Sequence, residues 1–555
     1  MKPRTILVIG GALAGPTAAA RAREIDEHAR ILLLERNRRV SYAECGLAYH
    51  LSGEVPSMQA LNQERAEFFG SVYGIEVWTE TEVTGLHAAE HRVSLNRSGQ
   101  SESLAYDSLV FALGASSVMP SFAGKGSENV TCFRTLDDLE KIEALLSGGR
   151  RQVAVIGGGP MGIEAADGLI RGGAEVTLIE KQPRLLSGFG PRAAAVALQA
   201  LQQRARVITG ATVESAESSE GHIKSLKLSS GEVIATDLVI SATGILPRTD
   251  LLKDAGAQLA ANGSVIVDGR SSTSLPEVYA CGVCVSVPQV ITGRPVWLAQ
   301  GALADKTAQV AGANASGGNA RLGLAAGSVL IRAFDSTVGR TGLSLDEATA
   351  HFGPDAIGLT TVHAPSHERY FPHATLMLIQ LLWHRGDGRV LGVEAAGASG
   401  VDKRIDAASA AVAGGMTIER LASLDYGYEP PYSAARDPLN VAATVASFER
   451  AGVGQSIEPE ELNRRSGEVQ IIDVRIAGAD GFAPVQGSVA IPLESLRQEL
   501  DRLDRSKPIV TVSENGRRGW LAARVLSQRG FAEVAVLSGG LRAWHLAQQS
   551  QRRQA

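Results

Sequence analysis

The apolar positions of this chain gather into short continuous runs, each closed by glycine or by an acid. In TILVIGGALAGPTAAARAREIDEHARILLLERN the run Ile6 to Ile9 leads into Gly10-Gly11-Ala12-Leu13-Ala14-Gly15 and then into alanine-rich sequence. This order predicts a buried strand, a tight turn and a helix, and Ile31 to Leu34 predicts a second strand ending at Glu35. The order returns in QVAVIGGGPMGIEAADGLIRGGAEVTLIEKQ, with Gly157, Gly159 and Gly162 in the turn and Glu180 closing the next strand.

A dinucleotide site requires this sequence of parts. Glycines permit the tight turn and let the backbone reach a pyrophosphate, the helix N-terminus offers unpaired N–H groups, and the acid about 20 residues on takes a ribose hydroxyl. In the first turn Ala12 stands where the middle glycine is usual. Two cradles imply two dinucleotides. A carboxylate at Glu180 accepts a free 2′-hydroxyl and repels a 2′-phosphate, which favours NADH, although Lys181 and Arg184 follow closely and leave NADPH as the alternative. Two further apolar runs, LVFALGASS (109–117) and DLVISATGILPRTD (237–250), carry Gly114 and Gly244 where the chain is expected to leave one nucleotide domain for the other.

After AGVGQSIEPEELNRR a different rhythm begins. EVQIIDVR (468–475), GSVAIPLESL (487–496), KPIVTVSENGRRGWLAARVL (507–526) and VAVLSGGLRAW (534–544) alternate short strands with helical segments, which predicts a small parallel α/β domain.

With 555 residues the chain calls for three or four folded units at about 150 residues each. Its 44% hydrophobic and 20% charged residues and net charge of −5 describe an ordinary globular protein, with nothing that calls for nucleic acid or an anionic membrane. The N-terminal apolar run is too short to span a bilayer and reads as a buried strand, so a cytoplasmic protein is expected. Cys45, Cys132, Cys281 and Cys284 are too few for a disulfide scaffold. Any thiol that matters is therefore chemical, and no metal is expected.

The order of parts resembles the flavin-dependent pyridine nucleotide-disulfide oxidoreductases, and within them the single-cysteine branch of coenzyme A-disulfide reductases, persulfide reductases and NADH oxidases. SYAECGLAYH (41–50) is similar to the branch's SFANCGLPYY, YEPPYSAARDPLN (428–440) to YAPPYSxAxDPxN, and GVDKRID (400–406) to GxDKRID. The resemblance implies two Rossmann-like domains: an FAD domain at 1–118 plus 245–320, and an NAD domain at 119–244 inserted between. An α+β dimerisation domain would follow at 325–450. It further implies that Cys45 is the redox cysteine, that Tyr428 and Tyr370 reach the active site from the partner subunit of a homodimer, and that Gly282 lies at the flavin. Arg21, with Arg23, and Ser41 would then meet the substrate. Phe371 stands where another tyrosine is usual.

Some positions depart from that pattern. Val283 replaces an aspartate that holds the flavin ribityl chain, at a typical cost of ~1.5–3 kcal/mol for a hydrogen bond to a charged group. Leu303 and Thr307 replace an asparagine and an arginine, which weakens the case for coenzyme A itself as substrate. Glu44 replaces asparagine beside Cys45, where it would oppose ionisation if it faced the sulfur, and is expected to point away. The spacing of Cys281 and Cys284 invites a redox reading, but both read as structural here; Cys132 reads as a core residue.

The last hundred residues, 455–555, resemble a rhodanese-like domain, in which a cysteine should end the strand IVTV. Ser513 stands there. A serine hydroxyl does not store a sulfane sulfur, so the domain is expected to be inactive and is read as a structural relic. The alternative is that Gly516, Arg517 and Arg518 dock an anion or a persulfide. The resulting expectation is an FAD-dependent NAD(P)H reductase of a small disulfide or persulfide. An NADH oxidase and a non-catalytic redox-sensing or sulfur-binding partner are the alternatives.

Overall fold

A computed structural model describes residues 3–62, 64–122, 127–476 and 481–551. The chain forms two compact units, Met1–Ile179 with Ala205–Ala325, and Glu180–Arg204 with Ala326–Ala555.

The first unit is built on two five-stranded sheets. One runs Val278–Ala280, Ser108–Phe111, Thr5–Ile9, Arg30–Leu34, Glu76–Trp78, with every neighbouring pair parallel. The other runs Arg206–Thr209, Glu175–Glu180, Gln152–Ile156, Leu238–Ser241, Val130–Cys132. Continuous apolar runs are what such strands need, because both faces are covered. Leu7 and Ile9 join one core cluster and Ile6 and Val8 another, so the run TILVI serves both sides of its sheet. Two three-stranded antiparallel ribbons, Thr81–His87 with Arg92–Arg97 and Gln100–Ala105, and Val213–Ser219 with His222–Leu228 and Val233–Ala235, accompany the sheets. Ala115–Ser117 and Ile245–Pro247 pair antiparallel where the chain passes Gly114 and Gly244.

The second unit holds an antiparallel sheet and a parallel one. The antiparallel order is Val329–Ala333, Ser336–Gly342, Val390–Gly397, Leu376–His384, Ile357–Pro365. The helices Val401–Ala413 and Pro438–Arg450 pack on it, the second started by Pro438 at its first position with Asp437 as cap. The parallel order is Gln455–Ile457, Val534–Leu537, Ile509–Val512, Gln470–Asp473, Val489–Ala490, with the helices Arg517–Gln528 and Gly540–Gln551. This is the small α/β domain expected from the alternating pattern.

Cys45 lies in a 3-10 turn at Glu44–Gly46 and precedes a five-residue helix at Leu47–Leu51. One local expectation is corrected. Cys132 is only half-buried, with Sγ 3.1 Å from Met119 Sδ, because it ends an edge strand rather than sitting in the core.

Candidate functional site

Both glycine turns of the first unit have the same internal geometry. Gly10 has φ +109° and Gly157 φ +112°. Each donates its N–H at 2.8 Å to the strand that follows the first helix, Gly10 to Leu34 and Gly157 to Ile179. A Cβ on Gly10 would lie 2.3 Å from Ala112 O, and one on Gly157 2.3 Å from Ala242 O. Gly15 and Gly162 approach the Gly10 and Gly157 carbonyls so closely that a Cβ would sit 1.7 and 1.9 Å away. Any side chain at these positions would push helix and strand apart. At Gly159 a Cβ would meet nothing within 4 Å, so the backbone there is open to a ligand. These are the requirements of a pyrophosphate cradle, and the residues present fit two dinucleotides.

Glu35 is buried and already engaged: Oε2 accepts from Gly11 N at 2.6 Å and Oε1 from Asn37 N at 2.7 Å. Glu180, also buried, accepts from Gln182 N at 2.7 Å in the matching way. Arg184 is committed to its own loop, donating to the Phe189 and Ser187 carbonyls.

The departure at 307 has a structural account. Gly282, at φ +83°, approaches Ala14 so closely that a Cβ would lie 2.9 Å from the alanine's own. Its N–H is held at 3.0 Å by Thr307 Oγ1, which is itself buried and lies 2.9 Å from Ala304 O. The Val283 carbonyl accepts from Trp297 Nε1 at 2.7 Å. A neutral network thus fixes this turn. Cys281 and Cys284 are buried in separate core clusters and unpaired, in keeping with a structural reading.

Cys45 is exposed in its 3-10 turn. The helix behind it, Leu47–Leu51, packs against the helix Pro160–Arg171 that starts at the second cradle. Gly168 makes this possible, since a Cβ there would lie 2.5 Å from Ala48 O. The segment that carries the thiol is therefore held on the helix of the second cradle. The thiol's surface is open, yet surrounding atoms displace enough water to raise its pKa, and the Glu164 and Glu44 carboxylates add to that; Arg134 opposes them. The surroundings therefore oppose the thiolate that attack on a disulfide requires. Glu44 is turned to Arg134, with Oε2 3.2 Å from Nη2, but still acts on the sulfur. Sequence reasoning missed both Glu164 and Arg134; the only signal was the position of Glu164 in the first turn after Gly162.

Of the substrate residues, Arg21 pairs with Glu24 at 2.6 Å. Arg23 is not available to a phosphate, because it donates to the carbonyls of Tyr73, Asp26, Glu27 and Gly74. Ser41, at φ +54°, donates its N–H to Gly11 O at 2.8 Å and so borders the first cradle.

In the second unit Tyr370 and Tyr428 come together, 74% and 52% exposed. The hydrogen bond that the Tyr428 hydroxyl donates to Tyr370 is the main reason that it is pushed up to about 12. Glu368 ties the two loops, accepting from Ala435 N at 2.8 Å. Phe371 and Tyr432 are exposed beside them in sequence, and Tyr432 was not singled out beforehand. Four exposed aromatics on two joined loops are uncommon on a surface that faces only water.

The family description of the pyridine nucleotide-disulphide oxidoreductases matches residues 4–305, that of their dimerisation domain 328–439, and that of a rhodanese-like domain 458–547. The chain is 30% identical over 447 residues to the NAD(P)H sulfur oxidoreductase (CoA-dependent) of Pyrococcus abyssi, covering 80% of this chain and 98% of that protein. Among solved structures, reduced CoADR-RHD of Bacillus anthracis superposes with a TM-score of 0.94 at 28% identity, covering 99% of each chain. The NAD-dependent persulfide reductase of A. fulgidus gives 0.91 at 32%, over 97% of this chain and 100% of that one.

Proposed function

This chain belongs to the pyridine nucleotide-disulphide oxidoreductase family, and from that premise we propose that it is an FAD-dependent NAD(P)H reductase of a small disulfide or persulfide working through Cys45. What supports this reading is one exposed thiol whose neighbouring helix packs on the helix that starts at the second glycine cradle, in a segment whose Ser41 hydrogen-bonds the first. Bound at the first cradle, FAD supplies hydride acceptance from the nicotinamide and delivery of two electrons to sulfur.

The protein's own part is to orient and to bias protons. Gly10, Gly11 and Gly15 hold the first pyrophosphate and Gly157, Gly159 and Gly162 the second, with Glu35 and Glu180 at the riboses. NADH is preferred to NADPH, because Glu180 presents a carboxylate while Arg184 is occupied by loop carbonyls. As thiolate, Cys45 attacks one sulfur of the substrate; a Cys45–substrate disulfide forms, the substrate S–S bond breaks and one thiolate leaves. Arg134 supports the thiolate, and the negative charges of Glu164 and Glu44 oppose it.

The protein acts as a homodimer, in which Tyr370 and Tyr428 reach the partner's Cys45. Their exposure and their mutual hydrogen bond support that role. Coenzyme A disulfide or persulfide is the first substrate to test, with Arg21 and Ser41 at its edge. Four unpaired cysteines suit a reducing compartment such as the cytoplasm. Among the described residues no helix is long and apolar enough to cross a membrane.

The test is anaerobic reduction of the purified protein. NADH should bleach a bound flavin, and a panel of disulfides and persulfides should restore its colour; a protein that stays colourless with added FAD would refute the reading.

A further inference from the structure

The segment that carries Cys45 is tied repeatedly to one element, the helix Leu136–Ser147 and the residues that lead into it. Arg38 and Arg39 both reach Asp137 and Glu140. Glu44 meets Arg134 at 3.2 Å. His50, in the short helix that follows the thiol, meets Glu143, with Nε2 2.8 Å from Oε1. Thr135 and Asp138 start the longer helix with a capping box, so these partners sit on a firmly fixed end. The ties at Glu44 and His50 fall where this chain departs from the segment SFANCGLPYY.

The His50 ring makes a second contact. Its Nδ1 lies 2.8 Å from Val55 O, in the turn that Val55 N–H closes on Tyr49 O at 2.9 Å. A carbonyl and a carboxylate only accept, so both ring nitrogens have to donate, and an imidazole carries two N–H groups only when protonated. The neutral ring gives up one bond and turns a lone pair on an acceptor. At 11% exposure the side chain has little water to replace what is lost. A tyrosine in this place has one hydrogen to donate and cannot make both contacts.

The other charges on the helices packed around His50 are engaged elsewhere. Lys141 donates to Val130 O at 2.8 Å, Asp138 caps its own helix, Asp167 pairs with Arg171 at 2.5 Å and Glu164 acts on Cys45. Glu54, on the turn after His50, lies 3.4 Å from Ser52 Oγ. Glu143 is the acid in contact with the ring.

We propose that His50 and Glu143 are positioning residues for Cys45: the protonated ring, donating on both sides, clamps the redox segment to the helix Leu136–Ser147 and restrains the thiol, and loss of the ring proton frees it. This deepens the reductase reading, on which the importance of Cys45 rests. The clamp itself needs neither flavin nor nicotinamide.

The experiment measures the rate at which Cys45 of the full-length, reduced protein reacts with dithiodipyridine, a small disulfide, followed by peptide mass at Cys45. In mildly acidic buffer His50→Ala and Glu143→Gln should each raise the rate roughly tenfold, the lower end of the weight of a hydrogen bond to a charged group. Charge alone would act with opposite signs, because His50→Ala removes a cation from the thiolate's surroundings and Glu143→Gln an anion. In alkaline buffer the ratio of variant to wild-type rate should fall toward one, since the wild type has then lost the ring proton. Glu143→Asp, which keeps the carboxylate, should restore part of the restraint. Glu175→Gln, an exposed carboxylate outside the clamp, should change nothing. A slower reaction in either variant, no change in both, or the same increase in acidic and alkaline buffer would overturn the proposal. Glu143→Gln is isosteric at a half-exposed position and carries the test if His50→Ala does not fold. Failure of NADH to bleach a flavin would remove the reductase reading and leave these rates as they are.

Discussion

Arg404 and Asp437 meet as a fully buried ion pair, Nη2 to Oδ2 at 2.8 Å, with each side chain 1% exposed. They come from GVDKRID and from ARDPLN, two stretches distant in sequence, and their contact joins the helices Val401–Ala413 and Pro438–Arg450. Arg404 also donates to Ser366 O at 2.9 Å, which fixes the start of the loop bearing Tyr370.

Removing one partner strands the other charge inside the protein. Arg404→Ala should destabilise this unit by about 3–5 kcal/mol, the range found when a buried pair is broken. Denaturant unfolding of the full-length protein should show a lower midpoint for the transition of the second unit. The exposed Arg464→Ala should not move it.

Cys45 gives a prediction with a definite sign. Its pKa is raised first by desolvation and then by Glu164 and Glu44, so the thiolate becomes populated only as pH rises beyond the ordinary thiol range. Glu164→Gln removes a negative neighbour and should shift the pH midpoint of iodoacetamide alkylation at Cys45 downward in cofactor-free protein. Arg134→Ala should shift it upward. Cys45→Ser should abolish NADH-dependent disulfide reduction, and unchanged turnover would remove the assignment.

The cradles were legible in the sequence because sterics leave no choice. A residue whose Cβ would meet a carbonyl at 2.3 Å must be glycine, and that need is written directly into the chain at Gly10 and Gly157. Cys45 was legible only through its resemblance to a family segment, since one cysteine has no spacing of its own. What surrounds it was not legible. Glu164 reaches the thiol through the packing of the Leu47–Leu51 helix on the helix Pro160–Arg171, and Arg134 from the loop after Val130–Cys132, neither of which a local pattern encodes. Arg23 shows the converse: a cation that reads as a phosphate ligand is consumed by four carbonyls once the loop after Tyr73 folds back.

Glu449 should make stability depend on pH in the opposite sense from most carboxylates. Burial pushes it up to about 7, against hydrogen bonds from Ser456 and Thr360, the latter at 2.8 Å. Its folded pKa thus exceeds its unfolded one near 4.3. Below that value both states are protonated and nothing is lost. Between about 4.3 and about 7 the folded protein keeps a proton that the unfolded chain releases, so stability falls as pH rises, and the loss is complete above about 7. Glu449→Gln should abolish this component. Unfolding midpoints measured from pH 5 to pH 8 should therefore favour the variant increasingly toward the alkaline end, and parallel curves would refute the assignment.

Ser513 yields the last prediction. A sulfurtransferase cycle needs a thiolate that takes the outer sulfur of thiosulfate, with release of sulfite, and then yields that sulfur to cyanide. The Ser513 hydroxyl stays protonated at any working pH and is engaged with Gly519 N at 3.1 Å, so neither half of the cycle has a nucleophile. The full-length protein should therefore show no thiocyanate formation from thiosulfate and cyanide beyond a heat-treated control. Ser513→Ala should leave the assay silent and lower the stability of the C-terminal domain by about 1 kcal/mol, the usual worth of a hydroxyl that caps a first-turn N–H. Robust thiocyanate production by the wild type would show that a different nucleophile serves this loop.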